Sequence, residues 1–122
     1  MTARILVIDD DQQIRKLLRK MLESDGYRVD EAADGRAGFA MYTADPYDLV
    51  ITDLIMPDRE GLETIRDLRS YDPAARIIAI SGGGTLPADN YLHMAECFGA
   101  QRVLQKPFRS DAICAAVRQL LA

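Results

Sequence analysis

The stretch ILVIDDD at residues 5–11 decides the fold. Its first four residues are aliphatic with no polar residue between them, which is typical of a strand buried on both faces of a sheet. Three aspartates follow at once, so the strand ends in a cluster of acids. Similar apolar runs recur at residues 49–51 and 77–80, and weaker ones at 27–29 and 103–104. The sequence therefore predicts five short strands.

Helical patterns separate these strands. From Ile14 to Leu22, apolar residues recur at the i, i+3, i+4, i+7 and i+8 spacing of an amphipathic helix. Gly26 stands just past the end of this pattern, where a glycine commonly terminates a helix. The spacing of the apolar residues from Leu62 to Leu68 predicts a second helix in the same way.

Further helices are indicated in the rest of the chain. Residues 113–121 carry a last amphipathic pattern, for which Ser110 is the expected N-cap. Residues 35–44 and 88–98 are also compatible with helices. Five strands alternating with five helices predict a doubly wound α/β domain, in which a parallel sheet carries helices on both faces.

Length, charge and cysteine content limit the possible functions. A chain of 122 residues that is 48% hydrophobic fits one domain over residues 1–122. A net charge of −4 argues against direct binding of nucleic acid or of an anionic membrane. Cys97 and Cys114 form no paired motif, and no apolar run is long enough for a signal peptide or a membrane span. We therefore expect a cytoplasmic protein.

The predicted strands end in residues of one kind of chemistry. The first strand ends at Asp9, Asp10 and Asp11, the third at Asp53, the fourth at Ser81 and the fifth at Lys106. In a doubly wound sheet, the functional crevice lies at the carboxyl ends of the strands. We therefore expect a cluster of carboxylates with one hydroxyl and one ammonium at this edge.

This combination indicates phosphoryl chemistry. Clustered carboxylates repel one another unless a cation intervenes, and Mg²⁺ prefers one or two carboxylates together with a phosphate. Asp53 stands alone on its strand, so it is free to act as a nucleophile and become an aspartyl phosphate. Lys106 would neutralise charge on the phosphoryl oxygens, and Ser81 would donate a hydrogen bond to one of them.

These residues resemble the receiver domain of two-component response regulators. The resemblance covers almost the whole chain and includes Ile5 to Asp10, Asp53-Leu54-Ile55-Met56-Pro57, Gly61, Ser81, Gly99-Ala100 and Lys106-Pro107-Phe108. It implies a flavodoxin-like sheet with strand order 2-1-3-4-5 and a phosphoacceptor at Asp53. It also implies that phosphate is contacted by Ser81 and Lys106 and that Mg²⁺ is held by Asp9, Asp10, Asp53 and the main-chain carbonyl of Ile55.

The resemblance also implies partners. Receiver domains take the phosphoryl group from a sensor histidine kinase or a phosphotransfer protein, and they then change their binding to a downstream protein target or output domain. Such a chain promotes its own phosphorylation and slow dephosphorylation and is not a turnover enzyme. The chain departs from the family pattern in several places, among them Val103, which stands where the family usually has an aromatic switch residue.

Other interpretations of the same residues remain open. Asp9 and Asp10 could have no role beyond capping the first helix, and Asp53 could have none beyond forming a turn. Lys106 could be a solvated surface lysine. Ser81 precedes glycines, as serines in many loops do. The chain as a whole could be a phosphorylation-independent interaction module with the same fold. A flavodoxin-type electron carrier is disfavoured, because the three acids after the first strand would repel a flavin phosphate.

Overall fold

The architecture alternates strands with helices along the chain. In this computed structural model, the described residues are 2–54, 60–81, 99–106 and 108–122. The elements are β1 (Arg4–Ile8), α1 (Gln12–Ser24), β2 (Arg28–Ala32), α2 (Gly35–Ala44), β3 (Leu49–Asp53), α3 (Glu60–Tyr71), β4 (Ile77–Ser81), β5 (Arg102–Gln105) and α4 (Ser110–Leu121). The helix predicted for residues 88–98 lies outside the described residues.

The five strands form one parallel sheet in the order β2-β1-β3-β4-β5, which confirms the predicted fold class. The register places Ile8 beside both Ala32 and Thr52, and Asp53 beside Ile80. The carboxyl ends of the central strands therefore lie at one edge of the sheet. The residues that directly follow these strands meet at that edge.

The core lies in two layers, one on each face of the sheet. Strand β1 explains this division, because alternate residues of a strand point to opposite faces and all of residues 5–8 are buried. One layer joins α1 and α4 to the sheet through Ile5, Val7, Leu18, Leu22, Ile113 and Val117. The other joins α2 and α3 to it through Leu6, Ile8, Tyr42, Val50, Ile65 and Leu68.

The ends of α1 follow the sequence signals. The carboxylate of Asp11 accepts hydrogen bonds from the backbone N–H groups of Gln13 at 2.9 Å and Ile14 at 3.4 Å, so Asp11 is the N-cap. Gly26 follows the helix with a φ of 94°, a left-handed conformation that favours glycine. The predicted terminator of this helix is therefore confirmed, and its N-cap is the third aspartate of the run at residues 9–11.

The start of α4 corrects one prediction. Ser110 is the first residue of the helix and not its N-cap. Arg109 is the N-cap residue, and its side chain makes no capping hydrogen bond. The carbonyl of Arg109 accepts the N–H groups of Ala112 and Ile113, which starts the first turn one residue earlier than the serine suggested. A serine near the start of a helix signals the boundary only to within a residue or two.

Strand β2 is longer than its sequence signal. The apolar run ends at Val29, but the strand continues to Ala32. Asp30 and Glu31 interrupt the apolar pattern because β2 is an edge strand, where Asp30 is exposed and Glu31 is only partly buried. In the part of the chain that the structure describes, no helix combines the length and hydropathy needed to cross a bilayer.

Candidate functional site

Three carboxylates meet at the carboxyl edge of the sheet. Asp9 and Asp10 directly follow β1, and Asp53 is the last residue of β3. One ligand oxygen from each lies within 4.8 Å of the other two. Asp9 and Asp53 are buried, with 1% and 4% of their surfaces exposed, whereas Asp10 is exposed. The cluster therefore combines two buried acids with one that faces solvent.

Backbone pairing holds the two buried acids in place. The N–H of Asp9 donates to the carbonyl of Ala32 at 3.1 Å, which continues the pairing of β1 with β2 by one residue. Immediately after Asp53, the N–H of Leu54 donates to the carbonyl of Ile80 at 2.8 Å. The backbone carrying both carboxylates is thus part of the sheet and not of a free loop.

Lys106, which directly follows β5, reaches across the edge to both buried acids. Its Nζ lies 3.1 Å from Oδ2 of Asp9 and 3.4 Å from Oδ2 of Asp53. Only 19% of the lysine side chain is exposed. Lys106 is therefore a largely buried ion-pair partner, and the solvated surface lysine described by the alternative interpretation does not fit this geometry.

The surroundings of Asp9 disfavour its ionised form. Burial raises the pKa of Asp9 above its ordinary value, although a hydrogen bond from the N–H of Asp11 and the ammonium of Lys106 act in the opposite direction. The charge of Asp10 raises the pKa of Asp9 further. An additional cation near these carboxylates would therefore favour the ionised form.

Lys106 remains a cation in this setting. Burial alone would lower its pKa, but the charges of Asp53 and Asp9 outweigh burial and hold the pKa above its ordinary value. The lysine is therefore protonated at neutral pH. It supplies one positive charge for three clustered carboxylates, which leaves the site with an excess of negative charge.

The donor set fits Mg²⁺. Magnesium takes oxygen ligands at about 2.0–2.1 Å, so its ligand atoms lie no more than about 4.2 Å apart. The oxygens of Asp9, Asp10 and Asp53, already within 4.8 Å of one another, need only small side-chain rotations to reach such spacing. The exposed Asp10 leaves room for the waters that Mg²⁺ retains. Among the residues that the structure describes, these three carboxylates are the group that could hold the ion.

The remaining predicted site residues are only partly placed. Ser81 ends β4 beside Gln105 and directly follows Ile80, the register partner of Asp53. Its backbone is thus at the correct edge, and its side chain lies outside the description. Ile55, with its predicted carbonyl ligand, lies outside the described residues. Val103 is half-buried and packs against the core layer on the α2 and α3 face.

Arg15 also reaches the site, and no sequence pattern predicted this contact. This residue of α1 donates from Nη1 to the main-chain carbonyl of Asp9 at 2.7 Å, and its Nε lies 3.2 Å from Oε1 of Glu31 on β2. Both residues lie on polar positions of their elements, where side chains commonly extend into solvent. Only the packing of α1 beside β2 brings them together.

Comparison with known proteins identifies relatives over nearly the whole chain. A family model described as the response regulator receiver domain matches residues 5–118. The response regulator MprA of Mycolicibacterium vanbaalenii is 36% identical over 121 residues, which cover 99% of this chain and 51% of that protein. The chemotaxis protein CheY of Halobacterium salinarum is 31% identical, with 99% of this chain and 98% of that protein covered.

Solved structures agree with these matches. A response regulator receiver domain protein from Clostridium thermocellum superposes with a TM-score of 0.87 at 32% identity, covering 98% of this chain and 94% of that one. A CheY-like receiver domain protein from Methanospirillum hungatei gives a TM-score of 0.90 at 26% identity, covering 99% of this chain and 94% of that one. The chain spans about half the length of the MprA relatives that it matches.

Proposed function

The chain belongs to the receiver domain family of two-component response regulators, and from this membership we propose that Asp53 accepts a phosphoryl group in a Mg²⁺-dependent reaction. The observation that supports this proposal best is the position of Asp53. It is a buried carboxylate with a lysine ammonium 3.4 Å away, and it shares a cluster with two further acids. This set supplies a nucleophile, a fixed positive charge and ligands for a metal ion.

In the proposed reaction, a carboxylate oxygen of Asp53 attacks the phosphorus atom of the donor. A bond forms between that oxygen and phosphorus, while the bond from phosphorus to the donor atom breaks. The electron pair of the broken bond leaves with the donor, which is an imidazole nitrogen of a phosphohistidine or an oxygen of a small acyl phosphate. The product is an aspartyl phosphate, and no external oxidant or reductant takes part.

The other residues orient and neutralise the transferring group. The ammonium of Lys106 lies beside Oδ2 of Asp53, so it can follow the phosphoryl oxygens as their negative charge approaches. Asp9 and Asp10 would hold Mg²⁺ together with Asp53 and the carbonyl of Ile55. When bound, the ion neutralises negative charge shared by the carboxylates and the phosphoryl oxygens. Ser81 donates a hydrogen bond to one phosphoryl oxygen from the end of β4.

The wider role follows from the family. We assign the phosphoryl donor to a sensor histidine kinase or a phosphotransfer protein. A downstream protein target or output domain binds the phosphorylated state differently, since phosphorylation adds a charge of about −1.5 to −2 at one position. Residues 1–122 act as one receiver domain in the cytoplasm. The chain turns over no external substrate and catalyses only the gain and slow loss of its own phosphoryl group.

Intact-mass measurement tests this proposal. The chain is incubated with acetyl phosphate and Mg²⁺, and we expect a mass increase of one phosphoryl group. This increase should not form when EDTA is present during the incubation. Asp53→Asn keeps the size of the side chain and removes the nucleophile, so it is expected to stay unmodified. A wild-type chain that gains no mass would instead support the phosphorylation-independent interaction module with this fold.

A further inference from the structure

Arg15 forms a bridge between α1, β2 and the turn that carries two of the clustered acids. Its guanidinium donates to the carbonyl of Asp9 at 2.7 Å and to the carboxylate of Glu31 at 3.2 Å. Only 14% of the arginine side chain and 18% of the Glu31 side chain are exposed. A planar guanidinium with donors in fixed directions is suited to holding two acceptors at once.

Glu31 fixes the direction of this bridge. Besides Arg15, it accepts a hydrogen bond from Nη1 of Arg19 at 3.0 Å. Burial would raise the pKa of Glu31, but the hydrogen bonds from Arg19 and Arg15 outweigh burial and lower it. The glutamate is therefore an anion at neutral pH. An ionised partner on the sheet holds the guanidinium against the backbone of Asp9.

The carbonyl of Asp9 belongs to the same peptide unit as the N–H of Asp10. Because a peptide unit is planar, fixing the direction of this carbonyl also fixes the plane that contains the N–H and the Cα of Asp10. Asp10 is exposed, and within the described ranges no hydrogen bond or ion pair holds its carboxylate. The orientation of Asp10 therefore depends on its backbone, and Arg15 holds that backbone.

We propose that Arg15 is a positioning residue for the metal site, which presets the Asp10 carboxylate through its contact with the Asp9 carbonyl. This inference rests on the proposed function, because it assigns a role toward the Mg²⁺ held by Asp9, Asp10 and Asp53. Arg15 touches none of the reacting atoms. It acts through the peptide unit between two of the metal ligands, and Glu31 keeps it in place.

The direction in which the Mg²⁺ affinity changes when Arg15 is replaced distinguishes a positioning role from a purely electrostatic one. A guanidinium near the metal site repels a divalent cation, so a purely electrostatic Arg15 would weaken Mg²⁺ binding, and its removal would tighten it. A positioning Arg15 has the opposite effect. Residues that orient metal ligands typically change metal affinity by about 10–100-fold when they are mutated. We therefore expect Arg15→Gln to weaken Mg²⁺ binding about tenfold.

Titration of the full chain with MgCl₂ in a calorimeter tests the inference. Arg19→Gln is the matched control, because it also removes an ion pair with Glu31 but leaves the hydrogen bond from Arg15 to the Asp9 carbonyl in place. The Mg²⁺ affinity of this variant should stay within about twofold of wild type. Arg15→Lys keeps the charge and the aliphatic stem but not the fork of donors. We expect it to weaken binding at least about threefold, which keeps the test decisive if Arg15→Gln folds poorly.

A second readout separates positioning from a merely structural role. The rate of phosphorylation by acetyl phosphate is measured against Mg²⁺ concentration. We expect Arg15→Lys to raise the Mg²⁺ concentration at half-maximal rate and to leave the maximal rate within about twofold of wild type. A general loss of structure would lower the maximal rate instead, and that result would overturn the inference.

The outcomes distinguish this inference from the proposed function. If the wild-type chain binds Mg²⁺ and both Arg15 variants bind it equally or more tightly, the positioning role is overturned and the proposed function stands. If the wild-type chain binds no Mg²⁺, the proposed function fails and the inference fails with it. Weaker binding in both Arg15 variants, with Arg19→Gln unchanged, supports the inference.

Discussion

The ammonium of Lys106 lies 3.4 Å from Oδ2 of Asp53, although 52 residues separate the two in the sequence. The same ammonium lies 3.1 Å from Oδ2 of Asp9. One side chain from the end of β5 thus pairs with the acids of β1 and β3. Both acids are almost fully buried, so the ammonium of Lys106 offsets part of the cost of burying their negative charge.

Removing this ammonium should destabilise the chain in the absence of metal. Lys106→Met leaves the charges of Asp9 and Asp53 without their lysine partner, and we expect the free energy of unfolding to fall by about 3 kcal/mol in EDTA. Mg²⁺ should restore most of the loss, since it supplies positive charge at the same carboxylates. Urea denaturation with EDTA and with Mg²⁺ measures both values.

Lys16→Met is the control for that experiment. Lys16 is an exposed lysine of α1, so its replacement should change the free energy of unfolding by no more than about 0.5 kcal/mol in either buffer. Equal stability of Lys106→Met and wild type in EDTA would contradict the importance of the buried pair.

Lys106→Met should also slow phosphorylation. The lysine is the fixed positive charge beside the proposed nucleophile, and removing one such group typically costs about 100-fold or more in rate. The initial rate with acetyl phosphate at saturating Mg²⁺ measures this effect. Retention of the wild-type rate would show that Lys106 takes no part in the reaction.

Binding of Mg²⁺ should stabilise the fold. At a free concentration of about 100 times Kd, one ion adds about 2.7 kcal/mol to the free energy of unfolding. Asp10→Asn removes one proposed ligand and should lose most of this gain. Asp11→Asn should keep it, because asparagine replaces aspartate well at an N-cap and Asp11 is outside the carboxylate cluster. Denaturation curves at several Mg²⁺ concentrations decide between these outcomes.

The hydrogen bond from Tyr42 to Asp72 should make stability depend on pH. The tyrosine hydroxyl lies 2.6 Å from Oδ2 of Asp72 and is the main cause of the lowered pKa of that carboxyl, to which the N–H of Ala74 also donates. Because the pKa of Asp72 is lower in the folded chain than its unfolded value near 3.8, the ionised carboxylate stabilises the fold at pH values above 3.8. This stabilisation is lost as the pH falls through the folded pKa. Burial, with the contact to Asp72, raises the pKa of Tyr42 well above 10.

The bond is therefore complete from about pH 5 to pH 9, where the phenol is neutral and the carboxylate ionised. In that range we expect Tyr42→Phe to lower the free energy of unfolding by about 1 kcal/mol, and the difference from wild type should shrink below pH 4. Tyr71→Phe is the control, since within the described ranges its hydroxyl makes a single, long contact of 3.4 Å with the carbonyl of Thr43. A constant difference across the acid range would argue against this linkage.

Most of the fold follows from local sequence signals. The apolar runs of β1, β3 and β4 are continuous because these strands are buried on both faces, and that is the strongest signal a short strand can give. The end of β2 was missed for the converse reason: Asp30 and Glu31 lie on an edge strand, where polar residues are tolerated.

The site was predictable where strand ends determine it. Asp9, Asp10, Asp53 and Lys106 each follow or end a strand, so the rule for parallel sheets brings them to one edge. The contact of Arg15 with the Asp9 carbonyl depends instead on how α1 is rotated above β2. That rotation follows from packing of the whole layer, and the spacing of residues along one helix does not determine it.

A close approach of α2 to the sheet gives a further test. A Cβ placed on Gly38 would collide with Cδ1 of Ile8 and would lie 2.7 Å from its Cγ1. Ile8 is 1% exposed, so its side chain has little room to move. Gly38→Ala should therefore destabilise the chain by about 1–3 kcal/mol, although alanine favours helices. Urea denaturation measures it, and a stabilised variant would show that α2 can move away from β1.

The central claim is that Asp53, among three clustered carboxylates, receives the phosphoryl group. Borohydride reduces an aspartyl phosphate to homoserine, which marks the modified residue permanently. The chain is phosphorylated with acetyl phosphate and Mg²⁺, reduced, digested and mapped by peptide mass spectrometry. We predict homoserine at position 53 and unmodified aspartate at Asp9 and Asp10. Homoserine at position 9 or 10, or at none of the three, would contradict the account.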